Sequence, residues 1–337
     1  MFGRLLVVAT VLIIVLFALV YRVFTLSSIA REKAGKPSEE FSTGKLHGIL
    51  FMVFFFVGFG AIFWYSIKVS DKMILPLASE HGGDIDFLFW LTTGITGVAF
   101  LVTHMMLFFI PYFFRHDPNK RARFYPDNMT LEKIWTFVPA IALTLLIVLG
   151  WTTWSKITAP VPTDEEVVEI EVMGKQFNWE LRYGGKDGKI GDYDFRKINA
   201  TNSMGIDYAD PKSKDDFKSN VLYLPKGRNV LLKIRARDVI HSVFLPHFRV
   251  KMDAVPGMPT QFWFKPNNTT EEIRTETGNP DFDFEMACTE ICGKGHFGMR
   301  MKVVVQEQAD FDKWHGSQTP WAEQNADEYN AQLSAKK

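Results

Sequence analysis

The chain has 337 residues, with 38 lysines and arginines against 38 aspartates and glutamates. Zero formal charge leaves no global field for nucleic acid, so nucleic acid is not an expected partner. Four apolar runs within the first 155 residues are long enough to cross a bilayer, which needs about 20 such residues, and they exclude a wholly soluble protein.

The first run covers about residues 5–24 and is dense in Val, Leu and Ile. A signal peptide would be followed by a small-x-small cleavage site. The run ends at Tyr21-Arg22-Val23-Phe24, which offers none, so a retained helix is expected. The second run, about 49–67, is rich in phenylalanine and closes with Trp64 and Tyr65, residues that suit a membrane interface. The third, 87–114, holds His104, expected to be a packed, hydrogen-bonded ring because no second histidine stands in register for a haem. The fourth, 134–154, closes with Trp151 and Trp154. Glu132 precedes it, where a carboxylate favours the positive end of the helix dipole.

Basic residues set the orientation. Residues 27–46 carry Arg31, Lys33, Lys36 and Lys45, and residues 115–133 carry Arg115, Lys120, Arg121, Arg123 and Lys133. The intervening loop has Lys68 and Lys72 against Asp71, Glu80, Asp84 and Asp86. Positive loops stay on the cytoplasmic side, so everything beyond residue 155 is expected outside.

From Val167 the pattern changes to period two. The stretches 168–172, 230–235, 261–264 and 300–305 read as strands, punctuated by Pro and Gly. The expected fold is therefore a membrane-anchored α + β chain, its transmembrane helices followed by an all-β Greek-key barrel over 163–312. A polar insertion lies near 184–219, and 313–337 reads as a polar C-terminal tail.

The chemistry concentrates in Cys288–Met299, which reads C-T-E-I-C-G-K-G-H-F-G-M and holds both cysteines. Two thiols alone would suggest a disulfide or a buried pair. His296 and Met299 add imidazole and thioether, the ligand types that select copper or zinc. Structural zinc rarely uses methionine, and a single blue copper needs one cysteine, so the second thiolate points to a second metal ion. Gly293, Gly295 and Gly298 suit a tight loop.

This stretch resembles the binuclear copper (CuA) loop of subunit II of the haem-copper cytochrome c oxidases, C-x-E-x-C-G-x-x-H-x-x-M, at every fixed position. The resemblance implies a cupredoxin barrel and two copper ions bridged by Cys288 and Cys292. Each copper also takes one histidine, with Met299 and the backbone carbonyl of Glu290 as weak ligands. His296 is one histidine; the other is His241, because Asp238-Val-Ile-His-Ser-Val-Phe-Leu-Pro246 matches D-V-x-H-S-x-x-x-P. His247 falls outside that pattern and is expected to be structural or on the surface; His315, near the tail, is a weaker competitor still. The family also implies a magnesium or manganese ion shared with subunit I at the Glu290 side chain. Asp253, within K-x-D-A-x-P-G, would face subunit I.

The helix pair within 84–156 matches the family's two helices, opening with Glu132-x-Ile134-Trp135-Thr136. The resemblance places Glu132 at the entrance of a proton channel. The segments within 1–70 are additional and are expected to dock against another membrane subunit. Electrons would enter at Phe177 and Trp179, where the family often has W-x-W. Arg235 and Arg237 stand where carboxylates are common, which disfavours a basic soluble cytochrome c. The expected donor is a cytochrome c or a cytochrome c domain, including one held within a larger respiratory complex. The expected function is thus subunit II of a proton-pumping terminal oxidase in the bacterial inner membrane, copper domain in the periplasm, with no haem on this chain. The alternatives are a copper-free quinol-oxidase-type subunit, a nitrous oxide reductase, which has an aromatic at the Glu290 position, and a non-redox scaffold with a disulfide.

Overall fold

A computed structural model describes residues 2–34, 43–117, 119–162 and 166–334. Lys36, and the ends 163–165 and 335–337 of the expected β domain and tail, lie outside the described residues. The chain divides into two compact units, Met1–Lys68 with Thr96–Asp127, and Val69–Ile95 with Asn128–Lys337.

Among the described residues five helices precede the strands: α1 (Phe2–Lys33), α2 (Thr43–Lys68), the single turn α3 (Ser70–Met73), α4 (Gly82–Phe113) and α5 (Met129–Ile157). Among the described residues three are long and apolar enough to cross a membrane, Gly44–Lys68, Gly82–Phe113 and Met129–Ile157. The apolar stretch found in α1 is shorter, Ile14–Ala30. The basic segment expected as a loop from residue 27 is partly helical, since Arg31 and Lys33 continue α1 and Lys45 falls in α2.

In the first unit, phenylalanines of α2 pack on those of α4: Phe54 and Phe55 lie 5.6 and 6.0 Å from Phe108, and Phe59 lies 5.4 Å from Phe100. His104 Nδ1–H donates to the Phe100 carbonyl at 2.7 Å, so the ring is satisfied by its own helix. Gly48 makes the approach possible, because a Cβ there would meet Tyr112 Cα at 2.7 Å.

Among the described residues the second unit holds ten strands: β1 (Val167–Lys175), β2 (Asn178–Tyr183), β3 (Phe217–Ser219), β4 (Leu222–Pro225), β5 (Asn229–Ala236), β6 (His241–Leu245), β7 (Val250–Ala254), β8 (Thr260–Phe264), β9 (Phe284–Cys288) and β10 (Arg300–Gln306). They form two five-stranded sheets, β3-β2-β1-β5-β8 and β4-β10-β9-β6-β7, packed as a sandwich. Alternate residues such as Ile170, Val172, Leu232, Ile234, Val243 and Phe284 point inward and form one core. Four short helices follow within the strands and after them: α6 (Thr270–Thr277), α7 (Gln308–Gly316), α8 (Trp321–Gln324) and α9 (Ala326–Ser334).

The outer face of β1 is buried too. Met173 joins Met204, Ile206, Tyr208 and Ala322 in a second apolar cluster, with Trp321 and Tyr329 against it. The polar stretch after β2 and the C-terminal helices therefore close on each other over the sheet. Asn199 Nδ2 and Thr201 Oγ1 donate to Glu328, and Trp321 N–H donates to the Asp216 carbonyl at 2.7 Å. Beneath them Glu171, Arg182, Asp216 and Arg235 form a buried charge cluster, with Arg182 Nε 2.8 Å from Glu171 and 3.5 Å from Asp216. Burial pushes the Asp216 carboxyl up to about 7, against the pull of Arg182.

The sandwich is fastened to the outer end of α4 by Arg249. Its guanidinium forks onto Asp86 at 2.7 and 2.9 Å and donates to the Leu75 carbonyl. Lys156 of α5 reaches Asp84 at 2.7 Å.

Candidate metal centre

The strand register builds the site. β6 and β9 run antiparallel with Val243 opposite Cys288. His241 stands two residues before Val243, so it faces the chain that leaves Cys288. That chain returns as a closed loop. Cys288 N–H donates to the Met299 carbonyl at 3.1 Å, and β10 then pairs with β9. Residues 288–299 are thus held at a narrow neck, with their sulfurs beside the histidine of the neighbouring strand.

The donor atoms converge as follows. Cys288 Sγ is 3.9 Å from His241 Nδ1 and 4.0 Å from Cys292 Sγ. Cys292 Sγ is 3.6 Å from His296 Nδ1 and 3.9 Å from Met299 Sδ. The Glu290 carbonyl oxygen lies 3.2 Å from Cys288 Sγ. Both cysteines are free and buried, as are His241 and Met299. His241, Cys288 and Cys292 alone bring three ligand atoms within 4.8 Å of one another.

The protons are arranged for metal binding. His241 Nε2 lies 2.8 Å from Asp238 Oδ1, a carboxylate that only accepts, so Nε2 carries the proton and the Nδ1 lone pair faces the sulfur. Burial opposes ionisation of Asp238. Hydrogen bonds from the Gln176 N–H and from His241 outweigh it and hold the carboxyl below its ordinary range. Burial, with the adjacent Cys288, pushes the Cys292 thiol up to about 11. Two soft thiol sulfurs, a thioether and two imidazoles, most of them buried, fit copper, which would bind the sulfurs as thiolates.

The remaining residues of interest scatter around this centre. Trp179 is 4 % exposed, edge-on to His241 at 6.0 Å between ring centroids, while Phe177 is 40 % exposed. Of the aromatic pair expected to take electrons, only Phe177 reaches the surface. Arg235, expected on the docking face, is buried and ion-paired with Glu171; Arg237 is exposed. His247 is 9 % exposed and packs edge-on to Phe282 and Phe284. His315 Nε2 lies 2.9 Å from the Gly184 carbonyl, away from the thiols. The Glu290 side chain is exposed, and Asp253 accepts from Ser242 Oγ at 2.7 Å. Glu132 lies in the first turn of α5, whose N-cap is Asn128.

The apolar helices and the β-sandwich with its two-cysteine loop define a membrane-anchored protein with a cupredoxin-like domain. The comparisons with known proteins agree. The sequence profile of the cytochrome c oxidase subunit II periplasmic domain matches residues 168–308, and that of its transmembrane domain matches 78–152. The alternative cytochrome c oxidase subunit 2 of Bradyrhizobium diazoefficiens is 34 % identical over 252 residues, covering 73 % of this chain and 84 % of that protein. Cytochrome c oxidase subunit 2 of Thermostichus vulcanus is 27 % identical over 266 residues, 70 % of this chain and 76 % of that protein. The crystal structure of the periplasmic domain of subunit II from Bradyrhizobium japonicum covers 46 % of this chain and 94 % of its own at 28 % identity, with a TM-score of 0.31. The chain belongs to the cytochrome c oxidase subunit II family.

Gln176 has no place in the ligand pattern, yet its side chain reaches the loop, donating to the Cys292 carbonyl at 2.6 Å. Its partner is a backbone oxygen 116 residues away, which leaves no signal in a linear reading.

Proposed function

We propose that this chain is the electron-accepting subunit of its oxidase, holding a binuclear copper centre on the periplasmic side of a bacterial inner membrane. The observation that carries the proposal is the convergence of His241, Cys288, Cys292, His296 and Met299, with the Glu290 carbonyl beside them. Bound there, two copper ions would supply reversible one-electron storage between a cytochrome c and the haem of subunit I, where oxygen is reduced. The chain's own residues hold the two sulfurs together, fix the His241 tautomer through Asp238, and bury Cys288, Cys292, His241 and Met299.

Under this reading Phe177 is the aromatic that meets the donor, with Trp179 packed edge-on to His241 behind the surface. The face around it is mixed: Val239 and Ile240 are exposed, as are Arg237 and Lys294, with Asp238 and Glu290 the exposed carboxylates nearby. Such a rim suits a donor that is not ringed with lysines, such as a cytochrome c domain held in a larger complex. Ile291 and Phe297 project from the same loop into solvent and suit contacts with other oxidase subunits. Glu290 and Asp253 serve at the subunit I interface, Glu290 toward a magnesium or manganese ion. Glu132 serves at the proton-channel entrance. The division into 1–70, 84–156, 163–312 and 313–337 is the working domain plan.

The test is metal analysis and optical spectroscopy of the purified full chain in detergent. Two coppers per chain, with the visible and near-infrared bands of a thiolate-bridged pair, are expected. A colourless chain with copper-independent stability, or with a Cys288–Cys292 disulfide under reducing conditions, would overturn the proposal in favour of a copper-free subunit or scaffold.

A further inference from the structure

The copper ligands come from two segments that share only a short stretch of sheet, β6 with His241 and the loop after β9. One residue outside both makes a hydrogen bond toward each. The Gln176 backbone N–H donates to Asp238 Oδ2 at 2.7 Å, and the other oxygen of Asp238 takes the His241 Nε2 proton at 2.8 Å. The Gln176 side chain donates from Nε2 to the Cys292 carbonyl at 2.6 Å. We infer that Gln176 is a positioning residue for the metal centre, tying the imidazole segment to the thiolate loop; the inference rests on the copper reading above.

The loop is shaped to receive it. Gly293 has φ +133°, and a Cβ there would stand 3.1 Å from Gln176 Nε2 and 3.0 Å from the Phe177 ring. A Cβ on Gly295 would fall 2.5 Å from Phe177 Cγ. The Gly-Lys-Gly spacing therefore makes a seat for the Gln176-Phe177 pair, in addition to any need for bending. With the seat filled, the Cys292 carbonyl meets a donor, and the peptide that follows the second thiolate is fixed in orientation. Amide-to-carbonyl bonds of this kind hold a ligand arm without charge, so they constrain geometry at either oxidation state.

Gln176 is itself held from behind. Lys175, its neighbour, is ion-paired with Glu180. Glu180 also accepts from Ser203 Oγ at 2.5 Å and Lys218 Nζ at 3.2 Å. Lys218 Nζ lies under the Trp321 ring at 4.6 Å. Arg237 N–H closes the end of β1 on the Gly174 carbonyl at 2.9 Å. The strand end that carries Gln176 is thus braced by the polar stretch after β2 and by α8.

The experiment compares the full chain, purified with its partner subunits and loaded with copper, to Gln176→Met and Gln176→Glu. Methionine keeps length without a donor. Glutamate keeps shape and sets an acceptor against the Cys292 carbonyl. Copper content, near-infrared absorption, electron paramagnetic resonance, midpoint potential and the rate of copper loss to a chelator are read. Both variants are expected to bind two coppers with altered spectra and a shifted potential, and to release them at least about 10-fold faster, glutamate more than methionine. Should methionine disturb folding, the isosteric glutamate carries the test. Wild-type spectra, potential and release rate in a folded variant would overturn the role of Gln176 while leaving the copper reading intact. An unsubstituted chain that binds no copper would overturn both.

Discussion

Phe177 lies on two glycines, and that contact makes single-atom changes in the metal loop costly. Gly295→Ala would place a Cβ 2.5 Å from Phe177 Cγ, so the ring must move. The expected outcome is a folded chain with weakened copper retention, read by chelator competition. His247 gives a second prediction. Burial, with a contribution from Arg249, holds its imidazole down to about 4, and its Nδ1 is buried without a partner. The folded ring stays neutral while the unfolded ring takes a proton below its ordinary value of 6.5. Stability should therefore be level above that value and fall between it and about pH 4, by up to about 3 kcal/mol. Thermal melts across this range should show the slope flattened in His247→Leu, which fills similar volume and loses no Nδ1 hydrogen bond. The residues that converge were legible because cysteine, histidine and methionine stand at fixed spacing. Burial was not: nothing in the string distinguishes buried Trp179 and Arg235 from exposed Phe177 and Arg237. Their exposure depends on what folds over β1 and β2.

Period two announced several of the strands, since their inward positions alternate cleanly. β1 was among them over 168–172, but the pattern did not show that its outward Glu171 and Met173 are covered. The helix boundaries shifted for a similar reason. Apolarity marks where lipid would begin and end, whereas backbone hydrogen bonding carries α1 through Arg31 and Lys33. The Arg249–Asp86 fork belongs to this scale, as it joins a turn between β6 and β7 to the first residues of α4. Arg249 has φ 54°, a strained value for a side-chain-bearing residue, and the fork and two carbonyl contacts hold it there. Arg249→Ala should lower stability by about 1–3 kcal/mol, because Asp86 loses its partner in a half-buried setting. Denaturant unfolding of the chain in detergent would measure it, and Asp86→Asn should cost less than removing the guanidinium.

The molecule as a whole depends on its two polar-looking segments finding each other. The stretch after β2 and the C-terminal helices were each read from their polar composition alone. Together they bury Met173, Met204, Ile206, Tyr208 and Ala322. Ending the chain at Gly316 should uncover that cluster, cost about 2–4 kcal/mol, and raise binding of a hydrophobic dye while the inner sandwich persists. The pairing of Val243 with Cys288 carries a different consequence. Along a strand, every second side chain shares a face, so the imidazole and the sulfur meet only while an even count separates His241 from that pair. The centre is governed by parity. Point substitutions along β6 leave that count untouched, whereas removing one residue between His241 and Val243 would turn the ring to the opposite side of the sheet, and no adjustment of the loop could bring it back.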